Sequence, residues 1–321
     1  MNDKFYPMNS AEILDQVLDV YKRSFLKQIA LSVIFYIMLF AVIYLLLFAG
    51  LIAGAAMAFA AFLPGAGSSI SSGGIIFIAV LIILFLLALS MYMALRTTGN
   101  ALITKQTFLD EHCDLGKVIK SALKKVWMAT SAVIANAIVM IPGIIGLSAV
   151  VYVFVRVLIW FDDIGAGYWP FVITTILLIL FVLGFFVVYT TLTMLSIPAA
   201  IFEGKWFFAA LKRGFLLARF DFAKLMGIVT VWFLAVLALS SSVEIIFGLG
   251  SSLLMFFIPA ETAMFMYLGM MGIRMLFTTA VSVVVAPLSG IFYTMIYINQ
   301  RFKYEGLDVE LNLNACKEIG R

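Results

Sequence analysis

The chain has 321 residues, of which 64% are hydrophobic and only 12% are charged. A soluble domain usually carries about 25% charged residues, so a soluble globule of this composition would expose very large apolar patches. The formal net charge is +4, and its distribution along the chain carries more information than its total. The composition excludes an ordinary soluble domain and favours an integral membrane protein.

Uncharged stretches are long enough to cross a bilayer six times. No Asp, Glu, Lys or Arg occurs between Lys27 and Arg96 or between Asp163 and Glu203. A spanning helix needs about 20 apolar residues, so the first stretch can hold two spans and the second can hold one. Further spans are predicted within residues 126–155, 225–243 and 275–300. The sequence therefore predicts an all-α, polytopic membrane domain over 1–321, with six transmembrane helices arranged as three hairpins.

The N-terminal segment has the pattern of an amphipathic helix. Asn9 and Glu12 are spaced as a capping box, and Met8 and Ile13 as the hydrophobic staple that accompanies one. One face of the helix is apolar and the other is charged, at helical period. The apolar positions are Ile13, Leu14, Val17, Leu18, Tyr21 and Phe25. This pattern predicts a helix on the membrane surface, with its cations toward anionic lipid headgroups; the alternative is a docking surface for a cytoplasmic partner.

The apolar stretch that follows is too long for one straight span. Residues 29–63 would form a helix of about 52 Å, whereas the hydrocarbon core is about 30 Å thick. We therefore expect a bend or tilt near Gly50 and Gly54, which also match the small-residue motif of helix contacts. A turn-rich loop at 64–74 and a second span from Ile75 complete the hairpin.

The same order of elements occurs twice more. The second copy has an amphipathic segment at 115–126, a long stretch with Pro142, and a fourth span within 169–201. The third begins near Lys205 and ends with a span at about 268–299 that contains Pro287. The apolar positions of these two amphipathic segments are Leu115, Val118, Ile119, Ala122, Leu123 and Val126, and Phe207, Phe208, Leu211, Phe215 and Phe222.

These copies predict repeats at 9–96, 114–202 and 205–300, followed by a cytoplasmic tail at 301–321. Internal repeats are common in transporters. The alternative is that any set of three hairpins with basic segments at one end shows this pattern.

Charge distribution predicts the orientation. All of the 21 Lys and Arg residues except Arg156 and Arg274 lie in the N-terminal segment, the two long segments between hairpins, or the C-terminal tail. Cytoplasmic segments of membrane proteins carry the excess of Lys and Arg. Both termini are therefore expected in the cytoplasm, in the inner membrane of a bacterium.

Four segments resemble one known family. They are Ser196-Ile-Pro-Ala-Ala-Ile-Phe-Glu203, Ala210-Leu-Lys-Arg-Gly-Phe215, Tyr297-Ile-Asn-Gln-Arg-Phe-Lys-Tyr-Glu-Gly-Leu-Asp308 and Ile13-Leu-Asp-Gln-Val-Leu-Asp-Val-Tyr-Lys-Arg-Ser-Phe25. Together they are similar to the bacterial glycerophosphoryl diester phosphodiesterase membrane-domain family and related polytopic proteins of unknown function. Gly214 departs from the Lys-Arg-Ser pattern of that family. The resemblance implies the membrane module alone, because the family's catalytic barrel needs histidines and this chain has one.

No catalytic or metal-binding constellation is evident in the sequence. It contains no GxxxxGK[ST] phosphate loop, and His112 is the single histidine, too few for a Cys/His zinc site or a Ser/His/Asp triad. Cys113 and Cys316 fall in segments predicted to be cytoplasmic, where thiols stay reduced. We expect no disulfide, no cofactor, no enzymatic activity and no nucleic-acid partner.

Three ionisable residues inside or beside spans form the candidate site: Arg156, Glu244 and Arg274. An ionisable residue within a span is a functional hypothesis by default. Helical rise places Glu244 and Arg274 near the outer edge of the hydrocarbon, in one hairpin, where they could pair. The net positive charge of the three would suit a lipid phosphate or another anion. The alternative is that each side chain extends separately to the outer interface.

Three functions are compatible with these patterns. The first is a non-catalytic transporter-like or lipid-handling module, which fits the repeats, the helix breakers and the few charges within spans. The second is an accessory or scaffold subunit that organises partner membrane proteins, which fits the sparse polar content of the spans. The third, a membrane-embedded enzyme acting on lipids, lacks a nucleophile–base pair or a metal cluster.

Overall fold

The computed structural model describes residues 6–61, 72–111, 113–165, 167–256 and 263–319. Within these ranges the regular secondary structure is helical and comprises nine helices. They are α1 (Ser10–Ala61), α2 (Ser72–Phe108), α3 (Leu115–Asp163), α4 (Tyr168–Thr193), α5 (Ser196–Glu203), α6 (Phe207–Arg219), α7 (Phe222–Phe256), α8 (Ala263–Glu305) and α9 (Leu307–Ile319). The predicted loop at 64–74 and the one around Glu261 fall largely or wholly outside the described residues.

Six of these helical segments are long and apolar enough to cross a membrane, which confirms the all-α, polytopic prediction. The pairs α1–α2, α3–α4 and α7–α8 form the three hairpins. The overlong stretches are not interrupted, since α1 runs unbroken for 52 residues and α3 for 49, and the predicted bend or tilt stays a prediction. Pro142 and Pro287 both lie inside continuous helices, α3 and α8.

The first two amphipathic segments are not separate helices. They are the first turns of α1 and α3, whereas α6 is a helix of its own that ends before α7 begins. An uninterrupted helix needs no additional caps, since its backbone groups remain paired from turn to turn. The three predicted repeats therefore differ in structure at this point, and the repetition itself stays a prediction.

The helices pack most closely at one end of the molecule. We call it the basic end: α1, α3 and α7 begin there, and α2 and α8 finish there. The opposite end is called the distal end. The amide of Asn299 pairs with the backbone of Met8, accepting from its N–H at 2.7 Å and donating to its carbonyl at 3.2 Å. This buried pair holds the chain start against the end of α8.

The apolar faces of the amphipathic segments are buried mainly against protein. On α1 the buried side chains include Ile13, Val17 and Val20, whereas Leu18 is 48% exposed and Phe25 is 37% exposed. The buried face of α1, which packs against α8 and α2, is therefore displaced from the predicted apolar stripe by part of a turn. The corresponding face of α3 is also buried against protein rather than lipid at Val118, Ala122 and Val126, whereas Leu123 is 47% exposed.

The helix α6 has the reverse arrangement. Its buried residues are Ala210, Gly214, Leu217 and Ala218, and its aromatic residues Phe208 and Phe215 are 49% and 46% exposed. The small residues allow close approach to the protein, and the aromatic rings lie where an interfacial helix would contact lipid. Of the three predicted surface helices, α6 alone presents its bulky apolar face outward.

Close helix crossings occur at glycines other than those predicted. A Cβ at Gly99 would lie 2.4 Å from the Leu31 side chain, and one at Gly290 would lie 2.9 Å from Asn100. The predicted motif at Gly50 and Gly54 makes no such crossing, since a Cβ at Gly54 would meet nothing within 4 Å. These two crossings lie at the contacts of α2 with α1 and α8, and a third close approach occurs farther along α3, where a Cβ at Gly143 would lie 2.8 Å from the Phe185 ring.

Candidate functional site

A large cavity lies between α7, α8 and Tyr36 of α1. Its volume is about 980 Å³, near the upper limit of the about 300–1,000 Å³ typical of small-molecule sites. Apolar side chains and hydroxyls share its lining. The polar lining residues are Tyr36, Glu244, Ser251, Ser252, Arg274, Thr278, Thr279 and Ser282. An amphipathic molecule matches such a surface better than a wholly apolar one.

Glu244 and Arg274 are joined across this cavity. The guanidinium of Arg274 donates two hydrogen bonds to one Glu244 carboxylate oxygen, at 3.1 and 2.5 Å. The Thr278 hydroxyl donates to the other oxygen at 3.2 Å. The exposed fractions of the Arg274 and Glu244 side chains are 58% and 39%, so both remain accessible from the cavity. The predicted pair is thus present, and its role in ligand binding stays a prediction.

Arg156 does not join this pair. It lies on the distal part of α3 and is exposed, and it does not line the cavity that contains Glu244 and Arg274. Helix α3 packs mainly against α2, α4, α5 and α6 and only slightly against α1, whereas the site lies between α7 and α8. The predicted three-residue site is therefore reduced to two of its members.

A second cavity continues from the first toward the basic end. Its volume is about 320 Å³, and it shares Tyr36, Glu244, Thr278 and Ser282 with the larger one. Farther along, its lining includes Ser240, Ser289 and the cationic side chain of Arg96. The two cavities form one groove, which we call the α7–α8 groove. Polar groups thus line a continuous path within the span region.

Helical rise gives the depth of this groove. Glu244 follows Lys224 by 20 residues, or about 30 Å at about 1.5 Å per residue. Arg96 precedes Lys105 by nine residues, or about 14 Å by the same rise. A hydrocarbon core is about 30 Å thick. Ser252 of the larger cavity follows Lys224 by 28 residues, or about 42 Å by the same rise. The groove therefore runs from beyond the distal edge of the core to about its middle.

Two contacts between α7 and α8 delimit the smaller cavity. The Trp232 and Phe292 rings stack at 4.5 Å between centroids on the side of the basic end. The Glu244–Arg274 ion pair lies on the distal side, where the smaller cavity meets the larger one. Between them α7 contributes the small residues Val236 and Ser240, which do not fill the space. The groove exists because two helices held at two points have short side chains in between.

A separate charge cluster lies at the basic end. The Glu203 carboxylate accepts from the Tyr297 hydroxyl at 2.7 Å and from Arg213 at 2.8 Å, and it pairs with Lys205 at 3.1 Å. Arg213 also pairs with Glu305, which in turn accepts from Arg301 at 2.8 Å. We call these residues the basic-end cluster.

The basic-end cluster joins α5, α6 and the end of α8. Desolvation would lower the pKa of Arg213, but its hydrogen bonds to Glu203 and Glu305 outweigh burial and raise the pKa above its ordinary value. The cluster contains residues from three of the four segments that carry the family resemblance. Those segments are therefore in mutual contact, a relation that the sequence alone did not predict.

Gly214 is explained by the same region. A Cβ at this position would lie 2.6 Å from the backbone nitrogen of Ser196 and 2.9 Å from the carbonyl carbon of Leu195. The helix α6 thus crosses the start of α5 at backbone distance, and the serine of the family pattern would not fit without a shift. The departure at Gly214 has a steric cause in this chain.

Arg96 is the groove residue that the sequence analysis missed. It follows a long apolar run and precedes Thr97 and Thr98, so it was counted as the end of the second span. The structure continues α2 for twelve further residues to Phe108 and buries Thr98, Asn100 and Thr104. A signal was available, since Arg96 lies nine residues before the next charge, Lys105.

The cysteine and metal predictions are only partly covered by the structure. Cys113 is a buried free thiol, and burial raises its pKa. His112 lies outside the described residues. No group of three or more His, Cys, Asp or Glu residues suited to a metal ion occurs in the part of the chain that was described.

Comparison with known proteins adds no relative. No family model matches the chain, and no curated protein or solved structure matches it either. The resemblance to the glycerophosphoryl diester phosphodiesterase membrane-domain family therefore remains a prediction that rests on the four segments quoted above.

Proposed function

We propose that this chain is a non-catalytic lipid-handling module, in which the α7–α8 groove takes up an amphipathic molecule from the distal side of the membrane. The observation that carries the proposal is the continuous groove between α7 and α8, with an ion pair at its distal part and Arg96 at its deep end. Hydroxyl groups along an otherwise apolar wall suit a ligand with both a polar head and acyl chains.

The chemistry of the lining supports binding more than catalysis. The ionisable lining residues of the groove are Tyr36, Arg96, Glu244 and Arg274. Glu244 accepts hydrogen bonds from Arg274 and Thr278, and these contacts fit a structural ion pair better than a general base. The groove also favours lipid handling over the scaffold hypothesis, since a scaffold has no need of a polar path to the membrane middle.

We further propose that the basic end faces the cytoplasm of a bacterium, as the distribution of Lys and Arg indicates. Anionic headgroups of that leaflet would then lie beside the cations of α3 and α6. Reporter fusions test this orientation. A fusion after Cys113 is expected to report the cytoplasm and one after Gly165 the outside; the opposite pair of signals would reverse the proposal.

Lipid retention by a filled groove tests the proposed function. Ser282 lines both cavities, so Ser282→Trp would place an indole ring in the middle of the groove. We expect lipid that co-purifies with the wild-type chain, measured by native mass spectrometry, to fall at least fivefold in this variant.

The matched control is Ser242→Trp, which makes the same change on an exposed position of α7. It should retain lipid as the wild type does. Equal retention by both tryptophan variants, or a wild type that binds no lipid beyond its annular shell, would contradict a lipid-handling groove.

A further inference from the structure

The α7–α8 groove contains more positive than negative charge. Arg96 and Arg274 contribute two positive charges, and Glu244 is the carboxylate that lines the groove with them. Glu244 is already engaged by Arg274 and Thr278. No ion pair among the described residues involves Arg96. A net positive charge therefore remains at the deep end.

The position of Arg96 makes this charge unusual. It lies about 14 Å from Lys105 along the axis of α2, close to the middle of a core about 30 Å thick. An arginine near a helix end can extend to the interface, but this one is too deep. A charged side chain at such a depth is costly unless it is paired or lines a polar cavity.

The surroundings of Arg96 provide donors. The Tyr92 hydroxyl is buried and lies close to both the Arg96 guanidinium and the Tyr36 hydroxyl. The Tyr36 and Tyr92 rings are 5.5 Å apart, and the Ser240 and Ser289 hydroxyls line the same cavity. A guanidinium beside several hydroxyls is a site for the oxygens of a phosphate group, because the fork of Arg binds two of them at once.

We infer that Arg96 binds the phosphate of an anionic ligand at the deep end of the α7–α8 groove. The inference rests on the proposed function and deepens it, since it assigns the ligand a phosphomonoester-like anionic group. The acyl chains of a lipid ligand would extend toward the larger cavity and the surrounding bilayer. The Glu244–Arg274 pair then lies on the path by which the anion enters from the distal side.

The test compares two lipids that differ only in the phosphate. The full chain is titrated with phosphatidate and with diacylglycerol of the same acyl chains, and native mass spectrometry gives each apparent Kd. Wild type is expected to prefer phosphatidate at least tenfold. Arg96→Gln should bind the two equally, and Arg96→Lys should keep part of the preference, since it retains the charge and loses the fork.

Arg156→Gln is the matched control, because Arg156 is an exposed arginine of another helix that does not line the groove. It should keep the full preference. Ser289→Asp is a second variant that leaves Arg96 in place and adds a negative charge to the same cavity. It should also abolish the preference, so the inference can be tested even where Arg96→Gln does not fold.

The source of the phosphate is settled by competition. Inorganic phosphate that displaces phosphatidate supports a site for a free anion, and inorganic phosphate without effect supports a site for lipid phosphate alone. A tenfold preference that survives in Arg96→Gln would overturn the inference. Wild type that binds neither lipid would instead overturn the proposed function, and equal binding of both lipids by wild type would overturn the inference alone.

Discussion

The basic end and the distal half of this molecule are built on different principles. At the basic end, apolar seams, the Asn299–Met8 amide pair and the basic-end cluster hold the helices in close contact. In the distal half most large side chains are exposed, for example Leu51 at 71%, Ile145 at 65% and Leu276 at 74%. The α7–α8 groove extends into that loosely packed half.

This difference has a physical origin. In lipid, burial of an apolar side chain against another helix gains little, because acyl chains are as apolar as leucine. Helices can therefore remain apart in the distal half at small cost, and a groove can persist. At the basic end water and headgroups compete for polar atoms, so close packing and charge pairing carry the stability. On this proposal the basic end stabilises the fold, and the distal half binds the ligand.

The largest expected effect is the loss of the Glu203 charge. Glu203→Gln would leave Lys205 without its carboxylate and Arg213 with Glu305 alone. It would also weaken the bond from Tyr297, in a place where the Glu203 side chain is 13% exposed. Removal of one partner of a buried ion pair costs about 3 kcal/mol. Reversible unfolding in mixed micelles should show this loss of stability.

The control for Glu203→Gln is Glu310→Gln, an exposed position on α9, which should change the free energy of unfolding by less than about 0.5 kcal/mol. Similar small changes in both variants would mean that the basic-end cluster does not stabilise the fold.

A smaller loss is expected at the crossing of α5 and α6. Gly214→Ser would drive a side chain into the backbone of Leu195 and Ser196, and overpacking of this kind costs about 1–3 kcal/mol. Gly146→Ser is the distal counterpart, since a Cβ there meets nothing within 4 Å. The comparison of the two ends fails if unfolding shows the distal variant to be as unstable as the basic-end one.

The smallest expected effect is the coupling between Glu244 and Arg274. Both side chains are partly exposed, and polar pairs between membrane helices contribute only about 1 kcal/mol. Glu244→Gln should lower stability slightly, and Arg274→Gln in the same chain should recover part of that loss. A double-mutant cycle in micelles measures the coupling, and strict additivity of the two changes would show that the pair has no energetic role.

The sequence predicted how deep a residue lies along its helix. It did not predict which neighbouring helix that residue faces. Helical rise placed Glu244 and Arg274 at one level of one hairpin, and the structure joins them. The same argument placed Arg156 toward the distal ends, but α3 packs against other helices, so the three charges do not form one site. Lateral position depends on which helices are neighbours, and hydrophobic patterns do not encode that choice.

Arg96 and the amphipathic faces show a second limit. A boundary between apolar and polar residues was taken as the membrane edge at Arg96, whereas neighbouring helices bury Thr98 and Asn100 well past it. Likewise, the apolar face of α1 was assigned to lipid and is buried chiefly against protein at Ile13 and Val17. Periodicity reports that a face is apolar, and it does not distinguish an acyl chain from a neighbouring helix.

The central claim is that a polar groove penetrates the distal half of the membrane domain, and cysteine accessibility tests it most directly. In a chain whose Cys113 and Cys316 are replaced by Ser, Ser282→Cys would point into the groove, and Val284→Cys would lie at nearly the same depth on a side chain that is 39% exposed. A charged, membrane-impermeant thiol reagent added from the distal side should label Ser282→Cys at least tenfold faster, and phosphatidate should slow that reaction alone. Equal and slow labelling of both cysteines would show that lipid or protein fills the groove. That result would contradict the claim that a polar groove penetrates the distal half.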